Sequence, residues 1–379
     1  MAIDCLILGP AYPYRGGISD TNHEFANELK NQGISVQVWT FTKLYPRFLF
    51  PGTSQLDSVK KEFPFQIQRK IHAYNPFGWS ALAIEINTLK PKKVVFRYWT
   101  PMLAFAWGSI ARKLKPKIKK IALIDNWNPH EPKPWDRFLN RYLSNSMHCL
   151  TTLSENVYSQ IIKEVNLPVS KGFHPINNNL PVLISKEEAR KKLNLDKNIP
   201  LLLFFGLIRK YKGLDLLIDA LADSSLFNSK VELLVVGEFY DKIEPYKMQI
   251  KRLGLESRIH IVNEFVSFEI ARDYFSASDI LVQPYRTATQ SGVTPLAYHY
   301  EVPLVTTDLK GLKIPILKDG TGATCSQTPK LIAAAIEKLL IPKNLNLAKK
   351  NIRKTKSKYS WHSFVVEWID FVKAQACVF

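Results

Sequence analysis

Short apolar runs alternate along the chain with longer stretches in which apolar residues recur every three or four positions. In the first half, the runs Cys5–Leu8, Val36–Phe41, Val94–Tyr98, Ile121–Ile124 and Cys149–Leu153 predict strands. Each is nearly continuous in apolar residues, the pattern of strands covered on both faces. Asp20–Lys30, with Phe25, Ala26 and Leu29 on one side, and Trp99–Lys113 predict helices packed on that sheet. Residues 166–188 lapse into Pro, Asn and Ser and read as a linker. The alternation then restarts with strands Leu201–Phe205, Val231–Val236, Ile259–Val262, Ile280–Gln283 and Leu304–Thr306. Helices Leu214–Ala222, Ile243–Leu253, Glu269–Ser276, Gly292–Tyr300 and Lys330–Leu340 fill the gaps. Repeated βα alternation builds parallel sheets, so the expectation is α/β: two doubly wound, Rossmann-like domains with a deep cleft between them. Tyr359–Lys373 adds an amphipathic closing helix with Trp361, Phe364, Val365, Trp368, Ile369 and Val372 on its apolar side.

Length fits this division, since 379 residues exceed what one ordinary core holds. With 46% hydrophobic and 22% charged residues the composition is that of a globular chain. The N-terminus has no basic segment and no small-residue cleavage site, so Cys5–Leu8 reads as a buried strand and not as a signal peptide. No run reaches the roughly 18 apolar residues of a spanning helix, and a cytoplasmic location is expected, with room for contact at the inner membrane face. Cys5, Cys149, Cys325 and Cys377 are widely spaced without a CxxC pair, so neither a disulfide framework nor a metal site is expected.

Charge sharpens the question of partners. The formal net charge is +19, which calls for a negatively charged partner: nucleic acid, anionic lipid or a phosphorylated small molecule. The alternative is lysine spread over a solvated surface. Residues 1–178 hold 23 Lys and Arg against 12 Asp and Glu, so the first half is the denser in positive charge. Its clusters are Lys90, Lys92 and Lys93, then Arg112, Lys113, Lys115, Lys117, Lys119 and Lys120.

Three segments carry candidate chemistry. GPAYPYRGGISDT, residues 9–21, places Gly16 and Gly17 between a strand and a helix, where backbone amides suit an anion; a plain glycine turn has the same letters. It matches neither a dinucleotide nor a P-loop pattern. LLLFFGLIRKYKGLDLLIDAL, residues 201–221, ends a buried strand at Gly206 and follows it with Arg209, Lys210 and Lys212 before Gly213. Arg offers a planar fork to phosphate oxygens and Lys a mobile charge. YRTATQSGVTPLAYHYEVPLVTTD, residues 285–308, sets Thr289, Gln290 and Ser291 before Gly292 at a helix start. That is either a donor-rich nest for a diphosphate or a capped helix end.

In this order the segments resemble the GT-B glycosyltransferases of family 4. GLIRKYKG is similar to the family's G-x-[IL]-x-x-x-K-G turn, and the resemblance implies that Arg209 and Lys212 bind the donor diphosphate, with Gly206 ahead of them. GPAYPYRGGI resembles the glycine loop under the donor phosphates, and the backbone near Phe265 and Val266 would contact the base. KYSWHSFVVEWIDF resembles the closing helix that returns to the N-terminal domain. The implied organisation is an acceptor-side domain at 1–175, a nucleotide-sugar domain at 176–355 and a closing helix at 356–379.

One departure bears on the site. Most family members carry two glutamates eight positions apart, where this chain reads Ala288 and Leu296. TQSGV instead resembles a subgroup of bacterial polysaccharide glycosyltransferases, as does RYWTP…LIDNWNPHEPKPWDRFLN. Either Gln290 and Ser291 take over hydrogen bonding to the donor, or turnover is altered or lost. Asp125, Asn126, His130 and Glu131, with Arg15, are candidates for the sugar or acceptor side. His130 is a candidate catalytic residue; in the other reading His130 and Glu131 only order a Pro-rich loop.

The resemblance implies transfer of a hexose-type sugar from a nucleotide-diphosphate sugar to a saccharide or lipid-linked acceptor. It also implies retention of configuration, without a metal or other cofactor and without a covalent carboxylate nucleophile. A nucleotide-sugar 2-epimerase of the same fold is the nearest alternative, and a catalytically dead scaffold another. A nucleic-acid-binding protein is indicated by charge alone and lacks the motifs, so no nucleic-acid partner is expected.

Overall fold

The computed structural model describes residues 3–44, 56–57, 61–128, 133–227, 230–288 and 290–375. The chain forms two compact units, one of Met1–Pro175 with Trp361–Phe379 and one of Ile176–Ser360.

The first unit is built on a parallel sheet of seven strands: β1 (Cys5–Leu8), β2 (Val36–Lys43), β3 (Gln66–His72), β4 (Lys93–Tyr98), β5 (Lys119–Ile124), β6 (Cys149–Thr152) and β7 (Val169–Ser170). Their order is β3-β2-β1-β4-β5-β6-β7, so the direction of winding reverses between β1 and β4. Helices Pro76–Leu89, Ala104–Lys113 and Asp136–Ser144 cover one face, closing a core around Trp39, Phe96, Trp107 and Trp127. Helices Gly17–Asn31 and Trp361–Ala374 cover the other, where Phe25 meets Trp368 edge-on at 5.1 Å and also touches Trp361 and Phe364. Burial pushes the free thiols of Cys5 and Cys149, in β1 and β6, up to about 12 and about 11; Cys377 lies outside the described residues.

The second unit repeats the plan with β8 (Leu201–Phe205), β9 (Glu232–Val236), β10 (Ile259–Val262), β11 (Ile280–Gln283), β12 (Leu304–Thr307) and β13 (Gly322–Cys325). The order β10-β9-β8-β11-β12-β13 is again wholly parallel, with its switch between β8 and β11. Arg190 and Asp279, both buried, form an ion pair of 2.9 Å that ties helix Lys186–Lys192 to the start of β11. Lys356 pairs with Glu301 at 2.9 Å, and the Ile176 N–H donates to the Tyr359 carbonyl at 2.7 Å, so both ends of this unit are fastened within it.

Several elements carry no strong signal of their own. β3 reads Gln-Ile-Gln-Arg-Lys-Ile-His, lies at the edge of the sheet and buries only Ile71 fully. β7 is two residues long and falls inside the Pro-rich stretch read as linker. Helix Pro76–Leu89 is apolar on nearly all sides, so no helical period stands out. Helix Ala104–Lys113 starts later than its apolar pattern, after a 3-10 turn at Pro101–Leu103. Among the described residues no helix is long and apolar enough to cross a membrane.

Candidate functional site

In a doubly wound sheet, ligands bind beyond the carboxyl ends of the strands, at the point where the winding reverses. In the second unit that point lies after β8 and β11, and both loops there are built around glycine. Gly206 follows β8 with φ 91°, and a Cβ there would stand 3.1 Å from Lys212 Nζ and 3.4 Å from Val293 Cγ2. The next turn, Lys210–Lys212, ends on Gly213 at φ 70°, where a Cβ would collide with the Pro284 carbonyl at 2.1 Å. Any other residue at either position strains the turn or fills the space before the lysine.

Lys212 is only 7% exposed. Its Nζ donates weakly to the Phe205 carbonyl at 3.5 Å and lies 5.6 Å from the centre of the Tyr285 ring. Desolvation, and then the neighbouring Arg209, push its pKa down to about 8. Arg209 is exposed, its guanidinium 4.6 Å from the Tyr240 ring centre. No carboxylate among the described residues forms an ion pair with Lys212 or Arg209. Buried cations are normally paired, so Lys212 holds a charge that an anion would complement, with the exposed Arg209 near enough to depress its pKa.

The loop after β11 completes the constellation. Gln283, buried at the strand end, donates to Ser291 Oγ at 2.8 Å and accepts from Thr294 Oγ1 at 3.1 Å. The Val293 N–H also donates to Ser291 Oγ, at 3.3 Å. The Tyr285 hydroxyl bonds with Ser291 and Gln283, and burial raises its pKa well above the ordinary range. Gln290 Oε1 is a buried acceptor with no partner among the described residues. Gly292 precedes helix Val293–His299 and has open space where a side chain would project. Arg286 grips Asp215 with two bonds of 2.6 and 2.7 Å, and its N–H donates to the Tyr211 carbonyl at 2.6 Å. The two loops are thereby fastened to each other. Thr289 lies outside the described residues. Beyond β10, Phe265 is largely exposed while Val266 is buried.

Gln283, Tyr285, Thr294, Arg286 and Asp215 had escaped the sequence reading. The available signal was a pair of polar residues closing an apolar strand, LVQPYR.

In the first unit, Arg15, Gly16 and Gly17 are all exposed at the start of helix Gly17–Asn31. Gly16 has φ 117°, and no atom lies within 4 Å of a Cβ built on Gly16 or Gly17. Behind them stands Arg97, the fully buried fifth residue of β4. Its Nε and Nη2 donate to Asp125 Oδ2 and Oδ1 at 2.6 Å each, and it reaches Thr21 Oγ1 at 3.0 Å and Asn22 Oδ1 at 3.3 Å. Both oxygens of Asp125 are thus engaged by Arg97, and the carboxylate fixes the guanidinium that holds the second turn of the helix. Asn126 beside it is half-buried. His130 and Glu131 lie outside the described residues. His174 is half-buried, and desolvation lowers its pKa.

Residues 199–341 match the family described as "Glycosyl transferases group 1". No curated protein matches the chain in sequence. Among solved structures, sucrose-phosphate synthase from Thermosynechococcus elongatus is 16% identical over 99% of this chain and 100% of that one, with a TM-score of 0.79. A glycosyltransferase from Rickettsia africae is 15% identical over 100% of both chains, with a TM-score of 0.76. Anabaena HepE, solved in complex with UDP, is 14% identical over 98% of this chain and 100% of that one, with a TM-score of 0.73. The fold is the expected GT-B type, two Rossmann-like domains on parallel sheets. With a glycosyl transferases group 1 domain in its second unit, the chain is a transferase.

Proposed function

We propose that the protein transfers a sugar from a nucleoside-diphosphate sugar, with the diphosphate held by Lys212 and Arg209 beyond β8. The observation that carries this reading is the buried ammonium of Lys212, set against a glycine and without a carboxylate partner among the described residues. As the sugar departs, negative charge grows on the leaving phosphate oxygen, and cations fixed in advance around that oxygen lower the barrier. Lys212 and Arg209 supply the cations. Ser291, held by Gln283 and Val293, and the Gln290 carbonyl, which has no partner among the described residues, supply polar contacts to the donor where the resembling family uses glutamates. HepE was solved with UDP and with UDP-glucose, which supports a uridine donor. Transfer with retention and without a metal follows the family resemblance. So does a saccharide or lipid-linked acceptor in cell-surface polysaccharide or glycolipid synthesis.

Thermal-shift titration with UDP-, GDP-, ADP- and dTDP-sugars tests the donor, and radiolabelled transfer tests the reaction. Lys212→Ala and Arg209→Ala should each weaken nucleotide-sugar binding by about tenfold or more, the scale of a lost charge-assisted bond. Unchanged binding and transfer in both variants would refute the site. Isomerisation of a UDP-sugar with no acceptor present would instead mark a 2-epimerase.

A further inference from the structure

The first unit exposes large apolar side chains on three neighbouring helices. These are Phe77 and Ile84 on Pro76–Leu89, Met102 and Phe105 at the start of Ala104–Lys113, and Trp135 and Phe138 at the start of Asp136–Ser144. Phe77 is 90% exposed and Phe138 62%. The inner sides of all three helices join one core, and the middle helix touches both others, so their outer sides form one continuous surface. Phe77, Ala81 and Ile84 follow one helical stripe, and Trp135, Phe138 and Tyr142 another. The Phe105 and Tyr142 rings, 5.4 Å apart, bridge the last two helices.

Each helix leads from one parallel strand back to the start of the next, so its first turn lies at the carboxyl edge of the sheet. Phe77, Met102, Phe105, Trp135 and Phe138 therefore cluster at the edge where α/β sheets receive their ligands. Cations are interleaved with them. Lys133 Nζ is 5.5 Å from the Trp135 ring centre, and the Arg112 guanidinium 3.8 Å from that of Tyr142. Arg137 and Arg141 are exposed on the last helix. Among the described residues of 101–144 the only acids, Asp125 and Asp136, are both buried, and on the first helix the exposed Glu85 is paired with Lys70. The lysines conspicuous in the sequence are elsewhere: Lys93 and Lys119 open β4 and β5 at the amino edge. There Lys92 pairs with Asp4, and Lys119 donates to the Val372 carbonyl.

We infer that this three-helix face docks on an anionic lipid bilayer, its aromatic side chains at head-group depth and its arginines and Lys133 on the phosphates. Scattered apolar residues are ordinary on a surface, but a contiguous patch with a polar rim, here cationic apart from Glu85, marks an interaction site. Trp and Phe mixed with Lys and Arg suit the interface of an acidic membrane. The inference deepens the proposed function by naming what brings a lipid-linked acceptor to the carboxyl edge, yet its test reads binding and not turnover.

Full-length protein is sedimented with phosphatidylcholine vesicles and with vesicles that also contain phosphatidylglycerol. Binding to the mixed vesicles is expected, weak on phosphatidylcholine alone. Trp135→Ser/Phe138→Ser should lower it at least about tenfold, as two aromatic side chains leave the interface. Arg137→Glu/Arg141→Glu should abolish the preference for the acidic lipid, while Lys115→Glu/Lys117→Glu at the amino edge should retain it. Failure of the wild type to bind, or equal loss in the amino-edge variant, would overturn the proposal. A concentration-dependent dimer that Trp135→Ser/Phe138→Ser abolishes would assign the face to a second copy of the chain instead. The thermal shift given by UDP is followed in every variant, so loss of vesicle binding with that shift intact bears on the docking face alone.

Discussion

Burial and Arg209 bring Lys212 from an ordinary 10.5 down to about 8, so below pH 8 the folded chain carries a desolvated charge. Between about 8 and 10.5 the unfolded chain holds the proton and the folded chain does not, and stability rises with pH across that window. At neutral pH the ammonium therefore costs up to about 3 kcal/mol, and a bound diphosphate would offset it. Lys212→Met should melt several degrees above the wild type at pH 7 without ligand, with the gap closing towards pH 10.5. The same variant should lose its stabilisation by UDP. Thermal unfolding at the two pH values decides, and a lower Tm for Lys212→Met at pH 7 would refute the argument. Arg97 presents the opposite case. Its removal strands the Asp125 carboxylate in the interior, so Arg97→Met should cost about 3–5 kcal/mol in urea denaturation, and Arg97→Met/Asp125→Asn should recover much of the loss. These two cations differ in how far the sequence exposed them. Arg209 and Lys212 stand between glycines directly after an apolar strand, and their number and placement were readable. Arg97 is one letter inside Val94–Tyr98, and its partner lies 28 positions on, so local pattern could not show that Asp125, a candidate for the sugar or acceptor side, is held by a guanidinium.

At the scale of elements, the loop from Gly9 to Gly16 is held to helix Gly17–Asn31 by His23. The Tyr12 N–H donates to His23 Nε2 at 2.8 Å, and the imidazole stacks on Phe63 with centroids 4.3 Å apart. Acceptance at Nε2 requires the neutral ring, and burial lowers its pKa from 6.5 to about 4. The stabilisation is complete above pH 6.5 and is lost as pH falls through 4, where the folded state must at last take the proton the unfolded chain took earlier. Urea denaturation of wild type and His23→Gln should therefore show a stability difference that narrows in the wild type's disfavour from pH 6.5 to pH 4, by up to about 3 kcal/mol. Parallel curves would assign the acid sensitivity to another group. Element by element, strands buried on both faces announced themselves as unbroken apolar runs, which is why β1, β4, β5, β8, β11 and β12 were legible. β3 and β13 were not, because apart from Ile71 their residues are half-buried or exposed, and polar or small letters break the apolar run. Helix Pro76–Leu89 escaped for the converse reason: its outer stripe is as apolar as its inner one.

For the molecule as a whole, chain order and core membership part company at the C-terminus. Trp361, Phe364, Val365, Trp368 and Val372 belong to the core of the first unit, although 185 residues of the second unit precede them. An apolar stripe shows that a helix must be covered but not by what, so amphipathicity alone left its partner open; the family resemblance supplied that expectation. Burying two Trp, one Phe and two Val side chains contributes roughly 10 kcal/mol, comparable to the whole stability of a domain. Ile176–Ser360, by contrast, is one continuous segment with its own two cores and with its ends joined through Ile176 and Tyr359. Truncation after Ser360 should thus unfold the first unit while leaving the second intact. Limited proteolysis of the truncated chain should remove residues 1–175 and leave a resistant fragment that begins near Ile176. The isolated segment 176–360 should in turn unfold in one cooperative transition followed by circular dichroism. A truncated chain whose first unit resists proteolysis as well as the full chain does would mean that the closing helix only decorates that core, and that the seven strands with the helices of residues 1–175 suffice to seal it.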